Sequence, residues 1–274
     1  LIQSLGAQAD TILHVATAGD QNMVDYVKTW LGPKFEAAHP GVKVRVIGTG
    51  PGDAGSNKIS EKLTAQQESG AQQWDIDVAV VHQKAGGEQV AKGLLQKYRQ
   101  DIQTGGMVSS PSATQALGVN VDGYVMPMFL SQTAIAWNSD LLTTPPASYD
   151  ELVVWTQKHP QAFGYNGIKN GMSGVSFVVG WIYAYGTAAQ RLSAGPYDKS
   201  VEKGWQQAYE KLKAFNKNVT FTPGNAGTLD MLSRGEIAMG PVWVDMFYSW
   251  KDQGKLPPSI KLALLAPGMP GPPM

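Results

Sequence analysis

The sequence contains no cysteine, which removes disulfide bridges, thiolate metal sites and cysteine nucleophiles from consideration. Net charge is missing as well. Its 22 Lys plus Arg balance 22 Asp plus Glu, giving a pI near 7.1, so no global field draws the chain to nucleic acid or to an acidic membrane surface. Charged residues are only 16% of the 274, yet no apolar run approaches the ~18 residues of a membrane span. Histidine is scarce, four in all, with no pair at metal-ligand spacing, so no transition-metal site is expected. There is no Gly-x-Ser-x-Gly elbow and no Ser/His/Asp set that spacing brings together. Neither a catalytic group nor a cofactor is expected.

What is present is a chain 43% hydrophobic with 31 Gly and 17 Pro, the profile of a loop-rich globular protein divided into two medium domains. Leu1 to Ala9 reads LIQSLGAQA, and Ala7-Gln8-Ala9 has the small-x-small form of a signal-peptidase site, so an exported protein is expected. Thr11 to Ala16 reads as a strand leading into the turn-rich Thr17-Ala18-Gly19-Asp20. Apolar residues at spacings of three and four make Asn22 to Ala38 an amphipathic helix, broken or kinked at Gly32-Pro33. Val42 to Ile47 alternates as a strand, a Gly-rich loop spans Gly48 to Ser56, and a helix follows from about Asn57 to Glu68. Asp75 to Val81 is a third strand and Gly87 to Tyr98 a third helix. Such alternation argues for a largely parallel sheet covered on both faces.

The stretch Gly123 to Asn138 then holds two short apolar runs about the polar pair Ser131 and Gln132, and reads as a hinge crossover from one α/β lobe to another. Clefts between domains are where small ligands usually sit. Beyond it, Ser148-x-x-Glu151 is a capping box opening a helix that ends at His159-Pro160. Helical segments follow over Gly174 to Gly186, Val201 to Asn216 and Thr228 to Gly235, with strands over Ile237 to Val244 and Lys261 to Leu265.

Gly50-Pro51-Gly52-Asp53-Ala54-Gly55 has the GxGxxG form, but it follows the second strand, and the far end of the third carries His82 and Gln83 where a ribose-binding acid belongs. A dinucleotide site and a Walker loop both fail there. Free backbone N–H groups of such a turn can still hold a carboxylate, phosphate or hydroxyl oxygen. His39 and His159 sit at helix ends, His14 reads as core, and His82 alone stands where a strand delivers side chains to a crevice. Eight Trp and ten Tyr include several after strand ends or Gly-rich turns, so Phe129, Tyr165, Trp181 and Trp243 are candidates for a stacking wall for a sugar ring or an organic cation.

The order of these signals is similar to that of the family 1 extracellular solute-binding proteins of bacterial ABC importers. The motifs that carry it are the TAGD loop, HPG followed by VKVRVIG, WDIDVAVV, the crossover YVMPMFLSQTAIAWNSDLL, Pro146 to Leu152 (PASYDEL) and Leu232 to Gly240 (LSRGEIAMG). HPQAFGYNG, 159 to 167, resembles the branch of thiamine, polyamine and YnjB-like binders. The resemblance implies a type II periplasmic-binding-protein fold: two α/β lobes, each a mostly parallel sheet flanked by helices, with a cleft at the hinge. It implies a binding protein rather than an enzyme, working in the periplasm or outside the cell, monomeric, with a membrane permease as partner.

On that basis the expected organisation is a signal-peptide remnant over 1–9, lobe 1 over 10–126, the hinge over 127–138, lobe 2 over 139–260, and the start of a return crossover over 261–274, with the C terminus incomplete. Carried over by position, the ligand contacts are Thr17, Asp20, Gly50, Ser56, Asn57, His82 and Gln83, then Met128, Phe129 and Gln132 of the crossover. In lobe 2 they are Tyr165, Ser173, Gly174, Ser176, Asn225, Trp243 and Asp245. Ferric binders of the fold use a tyrosine pair that GPVWVDMFYS lacks, so iron is disfavoured. An aromatic, weakly charged cleft suits a sugar or polyol; Asp20 and Asp245 beside Trp243 would suit a polyamine or thiamine. The expectation from another class is an α/β transferase that uses the Gly-rich loop for phosphate.

Overall fold

A computed structural model describes residues 10–187 and 198–269; the expected signal-peptide remnant and the last five residues lie outside them. The chain forms two compact units, one ending at Gln96 and the other beginning at Lys97.

In the first unit β1 (Thr11–Ala18) is the central strand, paired in parallel with β2 (Val42–Gly50) and β3 (Val78–Val80). Between β1 and β2 the chain forms α1 (Gln21–Tyr26), a π turn (Val27–Leu31) and α2 (Gly32–Ala38). The expected break at Gly32-Pro33 does not occur. Gly32 N–H reaches back five residues to Val27 O, which lets Pro33 enter the first turn of a new helical stretch, where its missing N–H costs nothing. A third helix, α3 (Gly52–Glu68), begins five residues earlier than the Gly-rich composition predicts, and α4 (Gln83–Ala91) lies upstream of its predicted span. For α3 the Gly-rich composition reads as loop, whereas Gly52 and Gly55 stand inside the helix, buried against the end of β2. The core is Ala16 and Ala18 of β1 against Ile59 and Leu63 of α3, with Leu94. His14 is not core: it is half-exposed, and its N–H donates to Asp77 Oδ2 at 2.7 Å.

The second unit begins with short 3-10 turns and the hairpin β4 (Gln115–Ala116) and β5 (Val119–Asn120). Its main sheet is built from β6 (Thr133–Asn138), β7 (Phe163–Tyr165), β8 (Val219–Phe221), β9 (Met239–Trp243) and β10 (Ile260–Ala263), in the order β10-β6-β9-β7-β8. β7, β8 and β9 pair in parallel, while β6 is antiparallel to both its neighbours, β9 and β10. Only β6 therefore runs against the rest. The helices are α5 (Tyr149–Lys158), α6 (Met172–Tyr185), α7 (Gln206–Phe215), α8 (Gly224–Ser233) and α9 (Val244–Asp252). Side chains alternate across the sheet. Ile135 and Trp137 of β6 meet Tyr149, Phe177, Trp181 and Phe215 on one face, and Ala136 meets Leu229, Leu232, Val242 and Phe247 on the other.

α5 confirms its predicted start. Ser148 Oγ accepts from Glu151 N–H at 3.2 Å, and Glu151 Oε2 accepts from Ala147 N–H at 2.9 Å, a capping box displaced by one residue on its return arm.

Candidate functional site

In the first unit three helices begin where the three parallel strands end. β1 passes through Gly19 and Asp20 into α1, β2 through Pro51 into α3, and β3 through His82 into α4. None of these three N-cap residues caps its helix with its own side chain, so first-turn N–H groups gather at one sheet edge. The ends of β1 and β2 are held together by Gly19 N–H donating to Gly50 O at 2.9 Å. Gly50 has φ +99°, and a Cβ at Gly55 would lie 1.8 Å from Gly50 O. That proximity explains the glycine spacing: it lets α3 start directly against the strand end.

Ser56 and His82 form the buried polar centre of this edge. Ser56 is fully buried and His82 is 6% exposed. Ser56 Oγ accepts His82 N–H at 3.2 Å and lies 3.0 Å from His82 Nδ1. The one hydroxyl thus meets both the backbone and the ring of His82, holding the imidazole against the start of α3. Burial pushes the His82 pKa below the ordinary 6.5, with the Asp53 carboxylate opposing in part. Thr17 is buried at the end of β1, and its Oγ1 has no partner among the described residues. Asp20 and Gln83 are half-exposed, and Asn57 is exposed on α3. All seven positions predicted for the first unit thus fall at, or within two helical turns of, these strand ends.

In the second unit the reversal of β6 places its start, Thr133, opposite Trp243 at the end of β9. The starts of α6, α8 and α9 follow the ends of β7, β8 and β9. The same edge therefore collects two groups of predicted residues. In one, Gln132 O accepts Val244 N–H at 3.0 Å, Ser131 Oγ donates to Asp245 Oδ1, and Trp243 is half-buried as the N-cap of α9.

In the other, Asn225 Oδ1 is the hub. It accepts from Asn166 Nδ2 and from Ser173 Oγ, both at 2.7 Å, and from Ser173 N–H at 3.4 Å. The loop from Asn166 to Gly171 is wrapped tightly on this hub. A Cβ at Gly171, which has φ +152°, would lie 2.4 Å from both Asn166 Nδ2 and Asn225 Oδ1, and one at Gly174 would lie 1.7 Å from Gly167 O. Ser176 is buried one turn into α6, and its Oγ has no partner among the described residues.

Tyr165 belongs to the core. It is 2% exposed, donates its hydroxyl to Asn216 Oδ1 at 2.9 Å and packs on Phe163 and Phe177. Trp181 is fully buried among the same rings. Met128, 38% exposed, and half-buried Phe129 lie in the irregular segment before β6. Three residues at this edge were not predicted. Asn166 was signalled by an Asn-Gly pair after a strand, Ser131 by its place in the crossover, and Phe221 by its position at the end of β8. Phe221 is 58% exposed, with its ring 5.3 Å from that of Tyr165.

Both edges therefore offer hydroxyls, amides, backbone N–H groups and aromatic surface. Among the described residues no group of three His, Asp or Glu is placed to hold a metal ion.

Residues 30–273 match the family described as bacterial extracellular solute-binding protein. Among solved structures, an extracellular solute-binding protein from Bordetella parapertussis superposes with a TM-score of 0.67 at 18% identity, over 96% of this chain and 74% of that one. Maltose-bound MalE3 of T. maritima gives 0.68 at 16% identity, over 95% and 68%. The TpPotD lipoprotein of Treponema pallidum gives 0.63 at 15%, over 92% and 68%. At these identities the likeness is one of fold, the two-lobe periplasmic-binding-protein architecture. No curated protein sequence matches the chain.

Proposed function

Since this chain belongs to the bacterial extracellular solute-binding proteins, the solute-capturing components of ABC transporters, we propose that its solute is a neutral polyhydroxy compound, a sugar or polyol. The family works outside the cytoplasm, in the periplasm of bacteria, and binds rather than transforms; a phosphate-using transferase is thereby set aside. The observation that supports the neutral class is the composition of the second unit's edge. It is built of Gln132, Asn166, Ser173, Asn225 and Trp243, and its one predicted carboxylate, Asp245, already accepts a bond from Ser131. Uncharged amide and hydroxyl groups suit sugar hydroxyls, and the exposed Phe221 and half-buried Trp243 offer faces for the ring.

The first unit's edge supplies first-turn N–H groups that the N-cap side chains of α3 and α4 leave uncapped, which suit hydroxyl oxygens and not ammonium groups. The second reading, an organic cation such as a polyamine or thiamine, is favoured only by Asp20 and Asp245 with Trp243. The partner is a membrane permease; the protein is a monomer and takes no nucleic acid.

Thermal unfolding against sugars, polyols, polyamines, thiamine, amino acids and organophosphates separates the readings. A solute at 100 times its dissociation constant stabilises the folded state by about 2.7 kcal/mol. A shift confined to sugars or polyols supports the proposal; a shift confined to the amines replaces it.

A further inference from the structure

The sequence has two Asn-Gly pairs, Asn166-Gly167 and Asn170-Gly171, four residues apart in the loop that opens α6. In such a pair the glycine nitrogen, unhindered by a side chain, can attack the asparagine Cγ. The structure gives the two pairs opposite fates. Asn166 is 1% exposed, and its Nδ2 is held by Asn225 Oδ1 at 2.7 Å. Asn170 is exposed, and its side-chain amide makes no hydrogen bond among the described residues; only its carbonyl is engaged, by Asn166 Nδ2 at 3.5 Å.

The vulnerable glycine is also fixed in place. Any side chain at 171 would drive a Cβ to 2.4 Å from Asn166 and Asn225, at a φ of +152° that L residues rarely adopt. The fold thus requires Gly171 next to an asparagine whose amide is left uncommitted.

We infer that Asn170 is a site of spontaneous deamidation, a chemical clock set into the loop that organises the second unit's polar hub. Gly171 N bonds to Asn170 Cγ, the Cγ–Nδ2 bond breaks, and the amide leaves as ammonia with the proton lost by Gly171 N. The resulting succinimide then takes up water at either carbonyl, giving aspartate or isoaspartate, with no oxidant, reductant or enzyme. The two products differ in consequence. Aspartate adds a negative charge just before the N-cap of α6, at the end of the helix where the dipole tolerates it. Isoaspartate inserts a methylene into the main chain one residue before Gly171, and Gly171 has no room to absorb the displacement.

The test is to age the purified full chain in warm, mildly alkaline buffer and map peptides by mass spectrometry. Trypsin separates the two sites by cutting after Lys169. A gain of about one dalton should accumulate in the fragment beginning at Asn170 on the order of tenfold or more faster than in the fragment carrying Asn166, because a buried amide reacts only through its opened population. Unfolding in denaturant should erase the difference, and N170Q should abolish the fast site. The unfolding midpoint of aged protein should fall, whereas fresh N170D should match fresh wild type. Equal rates at both sites in the folded protein, or a slow Asn170 that becomes fast only in denaturant, would overturn the assignment. An aged midpoint no lower than that of N170D would overturn the role given to isoaspartate.

Discussion

Truncating Asn225 to alanine removes the acceptor on which the second unit's polar hub converges. Three donors lose their partner: Asn166 Nδ2 and Ser173 Oγ, each at 2.7 Å, and Ser173 N–H at 3.4 Å. The substitutes already in place are poor. Asn166 Nδ2 keeps Asn170 O at 3.5 Å, and Ser173 Oγ keeps Asn166 Oδ1 at 3.4 Å, both at the outer limit of hydrogen bonding. Asn225 is 3% exposed and Ser173 fully buried, so water does not replace the lost acceptor without rearrangement.

A buried group left unsatisfied costs about 1–3 kcal/mol. Losing the two short bonds therefore costs about 2–6 kcal/mol in total, a fall of roughly 5–20 °C in midpoint for a unit of this size. Urea unfolding of wild type, Asn225→Ala, Ser173→Ala and the double variant measures it. The double variant should be less destabilised than the sum of the singles, since both remove the same bond. A loss below about 1 kcal/mol with unchanged m, or strict additivity, would refute the hub.

Other expectations follow from single contacts. Gly171→Ala should destabilise by about 2 kcal/mol or more in the same urea assay, since its Cβ meets the polar atoms of Asn166 and Asn225 at 2.4 Å. Ser148→Ala should cost about 1 kcal/mol through the lost cap of α5 and leave solute affinity unchanged, which is read by unfolding and by titration side by side. His82 has a folded pKa below the ordinary 6.5. Its contribution to stability is thus fully present above that ordinary value and is lost as pH falls through the lowered one. Midpoints measured over mildly acidic pH should fall more steeply in wild type than in His82→Gln, and parallel curves would reject the buried neutral ring.

Much of this was legible in the sequence because local chemistry and tertiary context agreed. The alternation of β2 and the capping box of α5 are each carried by a local pattern, and the strand–helix order placed Ser56, His82, Asn225 and Trp243 near strand ends. What was missed depended on neighbours distant in sequence. The start of α3 is set by packing against the end of β2, as the clash between a Gly55 Cβ and Gly50 O shows, and glycine content alone reads as loop. Pro33 was read as a break because the preceding π turn has no sequence signature. Tyr165 follows the pattern of a site aromatic, yet Phe163, Phe177 and Asn216 enclose it. Asn166 was passed over because the contact that defines it, with Asn225, spans 59 positions.

The central claim is that this protein captures a small polar solute without changing it, and isothermal titration calorimetry with the sugar or polyol that most raises the unfolding midpoint tests it most directly. The account predicts a saturable one-to-one isotherm, weakened in Asn225→Ala and in Trp243→Ala, with the solute recovered chemically intact. The absence of a saturable heat for every sugar and polyol, or recovery of a converted solute, would contradict it.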